Sequence, residues 1–100
     1  MIKDYDIMER RINSMDYDAL HLHIFYPNGE TFGFSSFPAD EVAISDVEDT
    51  LILGRPHETA YMELRFIRDS ISYDDEQDTF DLRLLGGYEV ALHFGEVVRI

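Results

Sequence analysis

The spacing of apolar residues changes once along this chain, and that change restricts the fold more than any other feature. Ile2, Tyr5, Met8, Ile12 and Met15 recur at intervals of three and four, which puts them on one face of a helix. Glu9, Arg10 and Arg11 turn away from that face. Asp4 and Asp6 fall in the first turns, where negative charge complements the helix dipole. Asn13 and Ser14 mark the exit, so the pattern predicts a helix from about Ile2 to Ser14. From there on the period is two. Leu20, Leu22 and Ile24 alternate with His21, His23 and Phe25, as a strand with one buried face requires.

The remaining chain reads as hairpins. Pro27-Asn28-Gly29 is a turn signal, because Asn-Gly readily supplies positive φ angles. Glu30–Phe37 is expected to return as a strand with Phe32 and Phe34 on one side. Pro38–Glu41 fits either a single helical turn capped by Ser36 or a loop. Val42–Ile44 and Thr50–Leu53 are short apolar pieces around the acidic stretch Asp46–Asp49, and Gly54-Arg55-Pro56 is a break. Ala60, Met62, Leu64 and Phe66 alternate again; the apolar phase then slips to Ile67, Ile71 and Tyr73, which predicts a bulge near Phe66–Ile67. After the polar loop Asp74–Asp78, Phe80, Leu82 and Leu84 form another strand. Gly86-Gly87 turns, Tyr88–Phe94 returns, and Val97, Val98 and Ile100 suggest a last short strand. The expected class is α+β: an N-terminal helix followed by a five- or six-stranded, mostly antiparallel sheet of hairpins. Residues 1–100 read as a single domain, with no linker or internal repeat. Either the helix covers one sheet face or the sheet curls toward a small barrel.

Charge sets the function classes. There are 21 Asp and Glu against 8 Lys and Arg, a net charge of −13 on 100 residues. A small domain needs only roughly 2–8 charges of either sign for solubility. The 45% apolar content and 13% aromatic content are those of a folded protein, so the acidity does not signal disorder. Self-repulsion of this size costs stability and makes it salt-sensitive. DNA, RNA and anionic membranes repel such a surface, whereas a basic protein attracts it, and the commonest basic surfaces are built to hold nucleic acid. The expected partner is therefore a basic nucleic-acid-binding protein, with no direct nucleic-acid or membrane contact. There is no Cys, which removes disulfides and thiolate metal sites. With no apolar leader in Met1–Asp6 and no run long enough to span a bilayer, a cytoplasmic location is the expectation.

Acidic residues cluster at Asp4, Asp6 and Glu9; at Asp16 and Asp18; at Asp40, Glu41, Asp46, Glu48 and Asp49; and at Asp69, Asp74, Asp75, Glu76 and Asp78. Solvated charge runs are the ordinary reading of such clusters. The functional reading is a surface that imitates closely spaced phosphates, and Asp40, Glu41, Asp46, Glu48, Asp49, Asp74, Asp75, Glu76 and Asp78 are the candidate contacts because they sit on loops. Asp74, Glu76 and Asp78 alternate like the start of an EF-hand loop, but Thr79 and Leu85 stand where Gly and Glu are needed. His21 and His23 share a strand face, and His93 lies on another strand; with a carboxylate the three are candidate ligands for a structural zinc. The ordinary reading is three polar-face histidines. No nucleophile elbow or P-loop is present, and no carboxylate pair stands out as acid and base, so no enzyme activity is expected. Phe25, opposite the apolar stripe of its strand, fits either core or a contact anchor.

In size, absence of Cys, helix-plus-hairpin plan and acidic loops such as Asp46–Asp49 and Asp74–Asp78, the chain resembles small phage-encoded anti-CRISPR proteins that inhibit type II CRISPR effector nucleases. The resemblance covers the whole chain through its general character and carries no motif, so it assigns no residue. It implies a stoichiometric inhibitor that occupies a basic channel and blocks DNA or guide loading. An immunity protein against a nuclease toxin would rest on the same physics. A structural, zinc-binding acidic domain is the third reading.

Overall fold

A computed structural model describes residues 3–95. The helix, α1, spans Asp4–Ser14, with Tyr5, Met8 and Ile12 buried and Asp4 and Asp6 in the first turn. It ends where Met15 takes a left-handed conformation, φ 54°. The Ser14 hydroxyl donates to the Arg11 carbonyl and accepts from the Asp16 amide, closing the exit.

The expected class is observed. Among the described residues the strands number eight and divide between two antiparallel sheets. The larger sheet is built from β1 (Ala19–Phe25), β2 (Thr31–Pro38), β6 (Ser72–Asp74), β7 (Thr79–Arg83) and β8 (Glu89–Gly95), in the order β2-β1-β8-β7-β6. The smaller is β3 (Val42–Ser45), β4 (Thr50–Leu53) and β5 (Met62–Arg65), in that order. The short apolar pieces on either side of Asp46–Asp49 are thus a hairpin of their own.

The phase slip at Phe66–Ile67 is where the chain leaves the small sheet for the large one. Phe66 makes a single bridge to Leu84, and the Ile67 amide donates to the Arg83 carbonyl. A short 3-10 turn, Arg68–Ser70, then leads into β6. The strand expected from Ala60 begins at Met62, because the Glu58 and Tyr61 amides are taken by turn bonds to Arg55 and Glu58. Pro38–Glu41 does form a helical turn, of the 3-10 type over Ala39–Glu41, with Pro38 rather than Ser36 at its N-cap. Phe32 and Phe34 do not share surroundings. The β1–β2 register shifts between Ile24 and Phe25, so Phe32 packs with Tyr26 and Tyr88 while Phe34 lies against His21 and His23. The strand expected at Val97–Ile100 lies outside the described residues.

Period-two alternation assigns the two faces of the large sheet. Leu20, Leu22 and Ile24 of β1, Phe80 and Leu82 of β7, and Val90, Leu92 and Phe94 of β8 are all buried. Each such side chain contributes about 1.5–3 kcal/mol relative to an exposed one. They form one core with Leu51 and Leu53 of the small sheet and Met8 and Ile12 of α1. The helix lies against β3 and β6, bridging the two sheets, with the Tyr5 and Phe66 ring centroids 6.0 Å apart. The opposite face of the large sheet, which carries His21, His23, Phe34 and His93, is covered by no element among the described residues.

Candidate protein-binding surface

Two of the acidic stretches form turns of one design. Asp46–Asp49 joins β3 to β4, and Asp75–Asp78 joins β6 to β7. Each ends on an Asp in the left-handed region, Asp49 at φ 49° and Asp78 at φ 52°. Asp is among the few residues that adopt this conformation readily.

Both of these Asp side chains are held by an arginine that also lies on an aromatic ring. Arg68 donates from Nε and Nη2 to Oδ1 of Asp49, at 3.1 and 2.6 Å, and from Nη2 to the Asp46 carbonyl at 2.7 Å. Its guanidinium carbon sits 3.9 Å from the centroid of the Tyr5 ring. Arg11 donates from Nε and Nη2 to Oδ2 of Asp78, at 3.1 and 3.0 Å, and lies 4.6 Å from the Phe94 ring centroid. The Tyr73 hydroxyl donates to the other Asp78 oxygen at 3.2 Å. Tyr5 and Arg11 both belong to α1, so the two turns are clamped to one helix at points about 9 Å apart along its axis. Two further carboxylates tie in: Asp4 accepts the Tyr73 amide at 3.2 Å, and Glu9 accepts the Tyr5 hydroxyl at 3.0 Å.

This wiring shows in the electrostatics. Burial, with the bond and negative charge of Glu9 added, pushes the Tyr5 phenol up to about 12. Burial and the Asp78 carboxylate raise Tyr73 in the same way, and the bond to Asp49 raises the Arg68 guanidinium.

The clamps engage only the last carboxylate of each turn. Among the described residues, Asp46 and Glu48 of the first turn make no ion pair, and neither do Asp74, Asp75 and Glu76 at the second. The structure therefore gathers seven of the nine candidate contacts, Asp46, Glu48, Asp49, Asp74, Asp75, Glu76 and Asp78, beside α1. Asp40 and Glu41 are apart from them. They sit at the other end of β3, about 13 Å of strand away, and both pair with Arg55, at 3.7 and 3.2 Å. The EF-hand-like alternation at Asp74–Asp78 is likewise explained by packing, since the Asp78 carboxylate that would face a cation is occupied by Arg11 and Tyr73.

Three apolar residues that the sequence did not mark as surface contacts are exposed. Val47, at the tip of the first turn, is 90% exposed, and Leu85 and Ile67 are also exposed. All three line one shallow depression with Glu48, Asp49, Arg65 and Asp69. The signal was available in Val47 itself, a β-branched residue in the middle of an acidic turn.

Three of the histidines, His21, His23 and His93, are brought together on the open face of the large sheet. His21 and His93 are direct cross-strand partners, with near-parallel rings 6.1 Å apart. His21 Nδ1 is 2.6 Å from the Ser36 hydroxyl oxygen, and His23 packs on Phe25 at 4.4 Å. Among the described residues no three His, Asp or Glu side chains are grouped so as to hold a metal ion. Nor is any helix among them long and apolar enough to cross a membrane. Compared with protein-family models, with curated proteins and with solved structures, the chain matches none.

Proposed function

We propose that this protein is a stoichiometric inhibitor that binds the basic surface of a nucleic-acid-handling enzyme and keeps nucleic acid off it. The observation that carries this reading is the clamping of two acidic turns to one helix, with five carboxylates left free of ion pairs among the described residues. A carboxylate carried on a clamped turn needs little further ordering of its backbone when it meets a lysine or arginine, which favours binding. The net charge of −13 speeds encounter with a basic partner and gives orientation. Val47, Ile67 and Leu85 add an apolar anchor beside the charges, the kind of contact that slows dissociation. No chemical step is involved: the inhibitor acts by occupancy.

The favoured target is a type II CRISPR effector nuclease, the partner implied by resemblance in size and charge to anti-CRISPR proteins. A nuclease toxin presents a similar basic site and is the other arm of the test. Immobilised protein is exposed to a lysate containing a type II effector, and bound material is eluted with a salt gradient. Release of the effector by salt, and its displacement by its own guide RNA or DNA, supports the proposal. Recovery of a small nuclease toxin instead turns it toward immunity. An effector retained equally in the presence of saturating nucleic acid would defeat the competitive mechanism.

A further inference from the structure

The two sheets have four edges, and three of them are blunted against pairing. β6 is three residues long, contains Asp74, and has its Tyr73 amide taken by the Asp4 carboxylate. β5 carries Glu63 and Arg65 in four residues. β3 is four residues long and lies against α1. Short strands, edge charges and covering elements are the usual means of preventing edge-to-edge association.

β2 is different. It is eight residues long, Thr31–Pro38, and none of its residues is charged, in a chain where 29% of residues are. Phe34 is 65% exposed on it. The bulge at Phe32 and the proline at 38 bound a regular stretch from Gly33 to Phe37, paired on one side to β1 and, among the described residues, unpaired on the other.

We propose that β2 pairs with β2 of a second copy of this chain, antiparallel about a two-fold axis near Ser35, joining the two large sheets into one. Charge selects this occupant. A basic partner is matched by the acidic turns, whereas two copies at −13 each can approach closely only where the surface is neutral. β2 and β6 are opposite ends of the large sheet, four strand spacings or roughly 19 Å apart, about two Debye lengths at physiological salt. Pairing at β2 therefore keeps the Asp75–Asp78 turns of the two copies on the outer flanks. Glu30 and Asp40, just outside the strand, approach their counterparts at the ends of the contact and supply a residual repulsion. Edge pairing of this size falls in the small class, below about 1,200 Å² in total, which suits a monomer–dimer equilibrium rather than a permanent dimer.

The sign of the salt effect distinguishes this contact from the inhibitory one. Sedimentation equilibrium of the full chain is run from about 0.05 to 0.5 M salt, over which screening becomes nearly complete. The proposal predicts a mass rising with concentration toward twice 11.7 kDa, and tighter association at the higher salt. Phe34→Lys, which places a charge on an exposed position of the edge, should weaken the dimer about tenfold or more with an unchanged circular dichroism spectrum. A wild-type chain that stays at 11.7 kDa throughout overturns the proposal. So does a dimer that loosens as salt rises, or one that Phe34→Lys leaves intact, since either places the contact elsewhere.

Discussion

Asp49 and Asp78 occupy the same place in two different turns: each is the last residue before a strand, each is left-handed, and each carboxylate is gripped by an arginine lying on an aromatic ring. Their positions in the sequence are unrelated. What unites them is α1, which supplies Tyr5 to one clamp and Arg11 to the other.

The two roles of Asp49 can be separated. Asp49→Gly keeps the left-handed backbone at no steric cost and removes only the clamp, an ion pair partly open to solvent and worth no more than about 1 kcal/mol. Asp49→Ala loses the clamp and also strains the backbone, which adds roughly 1–2 kcal/mol. Urea unfolding should therefore rank wild type above the Gly variant and the Gly variant above the Ala variant. An Ala variant as stable as the Gly variant would mean that the turn relaxes away from the left-handed conformation.

Tyr5 makes the fold sensitive to alkali. Burial and the Glu9 carboxylate push its phenol up to about 12 from the ordinary 10.0, so folding favours the neutral form. That stabilisation is complete below pH 10 and is lost as pH rises through about 12. Tyr5→Phe has nothing to ionise there. Its stability should be lower at neutral pH, by the roughly 1 kcal/mol of the lost bond to Glu9, and its melting temperature should fall less steeply between pH 10 and 12. Parallel curves for the two proteins would remove Tyr5 as a source of alkaline lability.

Two glycines with the same sign of φ should respond differently to alanine. At Gly54, φ +87°, a Cβ would stand 3.1 Å from the Tyr61 Cα and 3.3 Å from the Ala60 carbonyl oxygen, both backbone atoms that cannot swing aside. At Gly29, φ +90°, nothing lies within 4 Å. Gly29→Ala should cost only the left-handed strain of roughly 1–2 kcal/mol, and Gly54→Ala more. Equal losses in chemical denaturation would show that the Gly54–Tyr61 loop yields.

Stability should not depend on a divalent metal. His21 is bonded to Ser36 with its ring near-parallel to that of His93, an arrangement that packs the strand histidines on the open sheet face without a metal ion. Incubation with a chelator is expected to leave the melting temperature unchanged. A fall restored by zinc, and absent in a His21→Ala/His23→Ala variant, would return them to the role of ligands.

Period and turn chemistry carried most of the architecture into the sequence. Leu20–Leu22–Ile24 and Phe80–Leu82–Leu84 alternate because one face of each strand is buried, and Asn28-Gly29 marks its hairpin openly. The division into two sheets was less legible. Val42–Ser45 and Thr50–Leu53 are too short to show a period, and a phase slip at Phe66 reads equally as a bulge or as a change of sheet. The acidic turns were visible as clusters, but their clamping was not. Arg68 and Asp49 are 19 residues apart and Arg11 and Asp78 are 67 apart, and such pairings follow from tertiary packing alone. The same packing separated Asp40 and Glu41 from the other acids, because the two ends of one strand cannot lie together.

The central claim, that the free carboxylates beside α1 bind a basic nucleic-acid-handling enzyme, is tested by titrating a purified type II CRISPR effector with two proteins. One is the wild type; the other carries Asp46→Asn, Glu48→Gln, Asp75→Asn and Glu76→Gln, which leave Asp49 and Asp78 in their clamps. The account predicts a one-to-one complex for the wild type that weakens as salt rises, and at least about a tenfold loss of affinity in the neutralised variant. Equal affinity of the two proteins, or no complex at low salt, would contradict it.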